Sequence, residues 1–433
     1  MSSHQRYWFF RRLYRNPLVA ACQIAVLTVL AALWRRLLFR TVFVGITGSV
    51  GKTTAKDCLA AVLSTAGPTI ATAGSRNETR EVARQILRVR PFHRFAVLEV
   101  GAFQPGRMRL SARTLRPDIG IVLSITASHR LAFPTDDAIA QEKVELVKAV
   151  PPKGKVLLNH DDPLVCQMAD SVVAPVVFFG TQPAAPAAIA FPYTAEDPGW
   201  PGTFRFCSLE SNPETQSPSL PLTDRISRAC ISTQFLGDHW GPSFAAAYAA
   251  GRLLGVPSAQ ALAALEKVKP HTARLEPCPL PNGAVLIRDE LKNDPGPLRA
   301  AARFLKHAKA RRRVAVLGPA SDTGMGSRDS FRNMARQLLG AAELYVLVGQ
   351  DGDCAVKALL GEGVPRERLH HFKTFRQVHD ALPGLLRPED LVLLKARNSA
   401  HLSRLYFAQF GPIRCFREKC EVLGLCDHCP ELK

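Results

Sequence analysis

A glycine-rich turn followed at once by Lys52, Thr53 and Thr54 can do chemistry on phosphate. In Thr41–Ala60 an apolar, β-branched run leads into Thr47-Gly48-Ser49-Val50-Gly51-Lys52-Thr53, and a helical pattern follows. A strand delivers such a turn, glycines let backbone N–H groups approach phosphate oxygens, and the helix N-terminus adds a favourable dipole. Gly48, Ser49, Val50, Gly51, Lys52, Thr53 and Thr54 are the expected cradle for ATP. Lys52 would reach the outer phosphates and the Thr53 hydroxyl would hold Mg2+. The spacing is tighter than the ordinary Walker A, since Ile46 rather than glycine stands six residues before Lys52.

A second group of reactive side chains closes the chain. Cys415, Cys420, Cys426 and Cys429 follow a C-x4-C-x5-C-x2-C pattern, with His428 between the last two. That is enough thiolate for a tetrahedral zinc site, the C-x2-C half being the convincing part. The other reading is a tail of free or redox-active thiols, because the first pair is loosely spaced. The remaining seven of the eleven cysteines are isolated, as in a reducing cytoplasm.

These groups need a scaffold, and composition sets its limits. A chain of 433 residues, 47% apolar and 21% charged, is globular and long enough for two or three domains. Its net charge of +19 points to an anionic partner. Nucleic acid is excluded as that partner, since Arg and Lys are scattered and no nucleic-acid-binding signature appears. Pro17–Trp34 carries no charge and is flanked by Arg6, Arg11, Arg12 and Arg15 before it and by Arg35, Arg36 and Arg40 after it. No small-residue cleavage site follows, so it is not a cleavable signal peptide. Two readings stand: a helix associated with the inner face of a membrane, lying in the interface, or a helix buried against the nucleotide domain.

Strand-like runs at Phe95–Val100, Ile119–Ile125 and Lys155–Leu158 alternate with helical stretches, which implies an α/β fold with a parallel sheet. Residues 181–222 read as loops with short edge strands. Helical patterns return at Ser243–Leu254 and Ser258–Val268, and a second α/β pattern begins near residue 271. Its strands are expected at Ala284–Ile287, Arg313–Leu317, Glu343–Val348 and Asp390–Lys395, as in a Rossmann-like domain. The expected division is a basic, apolar segment over 1–40, a P-loop ATPase domain over 41–270, a Rossmann-like domain over 271–410 and a Cys-rich tail over 411–433.

Across residues 42–410 the motifs resemble, in order, those of the Mur ligases, ATP-dependent enzymes that join a carboxylate to an amine. They are TGSVGKTT, LEVGAFQPGRM (Leu98–Met108), LSITASHR (Leu123–Arg130), IAQEKVELV (Ile139–Val147), LLNHDDP (Leu157–Pro163), LGDHW, ARLEP, VAVLGPASDTG and LVLLKARNS. The likeness is strongest to the D-alanyl-D-alanine-adding type, without its N-terminal UDP-sugar domain, since only about 40 residues precede the P-loop. The resemblance implies Thr53 and Glu99 on a first Mg2+, and His129 with a carbamylated Lys143 on a second metal. It implies His239, Arg274 and Asp289 on the nucleotide, and Lys395 near an acyl-phosphate. Lys143 could instead pair with Glu142 or Glu145 on an exposed helix face.

Some positions depart from the family pattern. Trp240 and Ser243 stand where asparagines are usual, Ala273 replaces a glycine, and Arg288–Pro295 differs from the run that recognises adenine and ribose. Trp240 could therefore stack on a base. The expected function is an ADP-producing ligase that makes an amide through an acyl-phosphate, acting on an anionic acid and an amine. The alternatives are a P-loop kinase of a small acceptor, or a nucleotide-binding protein that has lost ligation.

Overall fold

The structure, a computed structural model, describes residues 17–126, 132–181, 189–190, 193–194, 204–211, 226–233, 235–320, 325–418, 420, 422 and 424–432. His129 lies outside the described residues.

The first part of the chain runs α1 (Pro17–Leu37), β1 (Val42–Thr47), α2 (Lys52–Ser64), β2 (Thr69–Ala71), α3 (Thr79–Arg88), β3 (Phe95–Glu99), α4 (Arg107–Leu115), β4 (Ile119–Val122), α5 (Asp136–Lys148), β5 (Lys155–Asn159), α6 (Pro163–Cys166) and β6 (Val176–Gly180). It continues with β7 (Ile189–Ala190), β8 (Tyr193–Thr194), β9 (Phe204–Ser211), β10 (Ile226–Thr233), α7 (Gly241–Leu253) and α8 (Ser258–Glu266). The strands form one sheet in the order β10-β9-β7-β6-β5-β4-β1-β3-β2, with β8 on β9. β3 and β4 are buried along their whole length because helices cover both faces of the parallel part, hence sequences that are apolar but for Glu99 at the end of β3. From β1 the chain first moves outward to β2 and later returns to the other side at β4. The turn after β1 therefore opens at a topological switch point, where α/β sheets bind ligands.

The second part runs β11 (Glu276–Pro279), β12 (Val285–Asp289), α9 (Pro295–His307), β13 (Arg312–Leu317), α10 (Ser327–Gln337), β14 (Leu344–Val348), α11 (Gly352–Gly361), β15 (Leu369–Phe372), α12 (Phe375–Leu385), β16 (Asp390–Lys395) and α13 (Ser403–Phe407). Its six-stranded sheet has the order β11-β12-β16-β13-β14-β15, parallel except for the β11–β12 hairpin. The register sets Lys395, the last residue of β16, beside Asp289 of β12.

One expectation is extended and one open choice narrows. Residues 181–222 contain part of a real hairpin, because the eight-residue β9 pairs antiparallel with β10 beyond them. Polar residues such as Ser208, Glu210, Ser227 and Ser232 interrupt its apolar alternation and hide it. The Pro17–Trp34 helix docks on the domain: Trp34 Nε1 donates to Val89 O at 2.9 Å, and Arg35 reaches Leu115 O, Arg116 O and Asp118. The Arg35 guanidinium also lies 4.1 Å over the Phe43 ring. Val26, Val29, Leu30, Leu33 and Leu37 stay exposed on the outer side. Among the described residues no helix is long and apolar enough to cross a membrane.

Candidate nucleotide cleft

The P-loop bridges β1 and α2, and its shape depends on two glycines. Gly51 caps α2 at φ 81°, a left-handed conformation that costs other residues energy, and a Cβ there would stand 2.7 Å from Ser243 Oγ. At Gly48 a Cβ would meet the Leu123 Cβ at 3.0 Å. The loop is tied to the segment after β4: Ser49 N donates to Ser124 O at 2.7 Å, and the Ser49 hydroxyl bonds Thr126. Ser243, which departs from the family pattern, donates to Gly51 O at 3.2 Å and so braces the turn from α7.

Two cations converge on one carbonyl. Lys52 Nζ donates to Gly48 O at 2.7 Å, and Lys143 Nζ donates to the same oxygen at 3.0 Å. Burial pulls Lys52 down to about 8, with Lys292 and Arg274 adding to the effect and Glu99 opposing it. Burial also holds Lys143 well below its ordinary value, and Lys52 and Lys292 repel its proton. The exposed-pair reading of Lys143 is corrected. Glu142 accepts from Gly106 N and Met108 N at the start of α4, and Glu145 pairs with Arg109. Lys143 is buried and points the other way, into the P-loop.

Beside the lysines stands an oxygen cluster. Thr53 Oγ1 donates to Glu99 Oε2 at 2.9 Å, and Asn77 Nδ2 donates to Glu99 Oε1 at 2.5 Å. Sequence reasoning does not reach Asn77, since it follows the short β2 in no motif that marks it. A hydroxyl and a carboxylate, both buried, are the hard oxygen donors that Mg2+ takes. Among the described residues no three His, Cys, Asp or Glu side chains are arranged as they stand to hold a metal ion.

The second sheet closes the cleft, which encloses about 960 Å3 and is lined by Lys52, Glu99, Lys143, His239, Arg274 and Asp289 among others. Arg274 lies at the join between the two parts. Its buried Nε has no hydrogen-bond partner, and burial lowers its pKa against the pull of Glu99, Asp289 and Asp294. Ala273 and Leu275 on either side have φ of 59° and 47°. A glycine is the ordinary occupant of such a backbone, so the Ala273 departure leaves strain at the hinge. His239 Nδ1 is likewise buried without a partner, and desolvation together with Arg303 and Lys395 pulls the imidazole down to about 3. It is a neutral ring at ordinary pH.

Trp240 is not a free platform for a base. Its Nε1 donates to Leu236 O at 3.0 Å, its ring meets Phe235 edge-on at 5.3 Å, and it is 6% exposed. Lys395 is placed differently from the other lysines. It is fully buried, and its Nζ donates to Asp289 Oδ2 and to Lys292 O, both at 2.6 Å. Asp289 thus faces the cleft with Lys395 behind it. The four tail cysteines lie apart from this cleft, around a separate small cavity.

Comparison with known proteins agrees with this architecture. Residues 46–250 match the Mur ligase middle domain, and residues 273–398 match the Mur ligase, glutamate ligase domain. The UDP-N-acetylmuramoyl-tripeptide--D-alanyl-D-alanine ligase of Mycobacterium leprae is 31% identical over 387 residues, covering 84% of this chain and 72% of that protein. The enzyme of the same name from Bacillus subtilis is 24% identical, covering 84% and 74%. MurF from Acinetobacter baumannii superposes with a TM-score of 0.76 at 22% identity, covering 89% of this chain and 80% of that one. MurF ligase from Thermotoga maritima in complex with ADP gives 0.73 at 18%, covering 89% and 83%.

Proposed function

The chain belongs to the Mur ligase family of ATP-dependent, amide-forming ligases, and from that premise we propose which side chains carry the reaction and what class of substrate it takes. One observation carries the reading: half-buried Lys52 and buried Lys143 donate to the same acceptor, the Gly48 carbonyl. A polyphosphate entering the cleft would supply opposing charge, with Lys52 turning from Gly48 O to the outer phosphate oxygens. Thr53 and Glu99 would hold Mg2+, which neutralises charge on the phosphates when bound. Arg274, with its unpartnered Nε, would reach the γ-phosphate from the hinge.

Burial and the neighbouring lysines disfavour the charged form of Lys143, so its amine would take up carbon dioxide and release a proton, becoming a carbamate whose oxygens can ligate a metal. The family resemblance would add His129 as a ligand of the same metal. A substrate carboxylate oxygen attacks the γ-phosphorus and ADP leaves; the amine then attacks the acyl carbon, phosphate leaves, and the amine loses its proton. Between the steps the acyl-phosphate must be kept from water, which closure of residues 271–410 onto 41–270 about the strained Ala273–Leu275 turn would do. His239, neutral, and Asp289, backed by Lys395, would contact the nucleoside. The relatives named above add D-alanyl-D-alanine to a UDP-linked tripeptide, and this chain's +19 charge suits a comparably anionic carboxylate.

The test is ADP and phosphate release with anionic peptide acids and amino-acid or dipeptide amines, supplied singly and together. Release is expected only when both are present. ADP formation without any amine, leaving a stable phosphorylated product, would identify a kinase instead.

A further inference from the structure

The tail after α13 is ordered without the usual means of order. Over residues 411–432 the described chain has no strand and only one turn of 3-10 helix, Cys426–His428. Arg414 N nevertheless donates to Leu432 O at 2.9 Å, which closes the segment into a loop. Its apolar residues Ile413, Cys426 and Leu432 enter the core under the second sheet. A closed irregular loop has few ladder bonds to offset the entropy of ordering it, and a cross-link is the usual remedy.

The thiols stand where a cross-link would act. Cys415, Cys420, Cys426 and Cys429, far apart in sequence terms for so short a tail, all line one cavity of about 10 Å3. That is the room of a single water or ion, too small for an iron–sulfur cluster. Cys429 N donates to Cys426 O at 3.0 Å, so the C-x2-C pair sits on one tight turn. The surroundings suit thiolate charge. Arg404 Nη1 lies 3.7 Å from Cys415 Sγ, and His401 Nδ1 lies 3.5 Å from Cys426 Sγ. His401 Nε2 is buried without a partner. All four cysteines are free thiols, and they are not yet closed into a ligand set.

We infer that the tail is a zinc site in which Cys415, Cys420, Cys426 and Cys429 ligate one Zn2+ and lock residues 411–432 onto the second sheet. On binding, the four thiols release their protons and leave a centre of net charge −2 beside the Arg404 guanidinium. Asp427, between the last two ligands, is already held by Arg288 at 2.7 Å, so the ion fastens a loop that abuts the strand carrying Asp289.

The test uses the full chain purified under reducing conditions without chelator. Elemental analysis should find about one zinc per chain. Tail thiols should resist a thiol reagent until a strong chelator is added, when residues 411–432 become open to protease. Cobalt exchanged into the same protein should show thiolate-to-metal charge-transfer absorption, and Cys429→Ser should lose both metal and band. Metal-free protein whose tail thiols react at once, or an intact mass lowered by disulfide formation, overturns the proposal. ADP and phosphate release measured on the same preparation keeps this outcome separate from that of the ligase reading.

Discussion

The two sides of the cleft treat buried lysine in opposite ways. On the first sheet, Lys52 and Lys143 are set against one carbonyl, and among the described residues neither forms an ion pair. On the second sheet, Lys395 is fully buried and meets Asp289 at 2.6 Å. A buried charge without a counterion is costly, so a fold keeps one only where something else gains from it. On the proposed function, the unpaired side is where an anion would arrive, while the paired side braces Asp289. The same contrast separates affinity from stability within one pocket.

Replacing Lys143 by Met breaks this comparison most sharply. Turnover should fall about 10³-fold, because a charged group aimed at the reacting centre is gone. The nucleotide-free protein should nevertheless gain roughly 1 kcal/mol of stability and melt higher, because a buried amine without a counterion gives way to an apolar side chain. A lower melting temperature would show that Lys143 is compensated after all. Lys395→Met should do the reverse and cost about 3 kcal/mol of stability, since it leaves Asp289 buried and alone. Adding Asp289→Leu should recover most of that loss; calorimetry of the single and double variants checks it.

The smallest effect is in pH. The folded pKa of Lys52, near 8, lies below its ordinary 10.5, so the unfolded chain holds more protons between those values. Stability of the nucleotide-free protein should therefore rise as pH goes from 8 toward 10.5. ATP affinity should fall over the same window, by up to about tenfold per pH unit, because the phosphates need the ammonium. Calorimetric titration across that range reads both, and parallel changes would refute the contrast.

Much of the cleft is legible in the order of residues. The P-loop announces itself because phosphate binding needs a strand, a glycine turn and a helix start in immediate succession, all local. Glu99 and Lys143 are reachable through ordered motifs, although nothing in IAQEKVELV says which way its lysine turns. Asn77 escapes such reading because its partner Glu99 is 22 residues away and its own neighbourhood carries no pattern. The β9–β10 hairpin is hard to see because polar residues break the apolar alternation of its sequence. The tail cysteines are visible as a cluster, but only the docking of residues 411–432 gathers them around one cavity.

The sequence alone determined the α/β class, the strand–glycine turn–helix order of the P-loop and the family, because these rest on residue order over short stretches. Tertiary structure decided the electrostatics. It set Lys143 on the same oxygen as Lys52, put Lys395 behind Asp289, committed Trp240 to the core and turned an uncharged helix at 17–34 into a docked one. Charge and burial depend on what lies across a gap in space, and linear order does not record that distance.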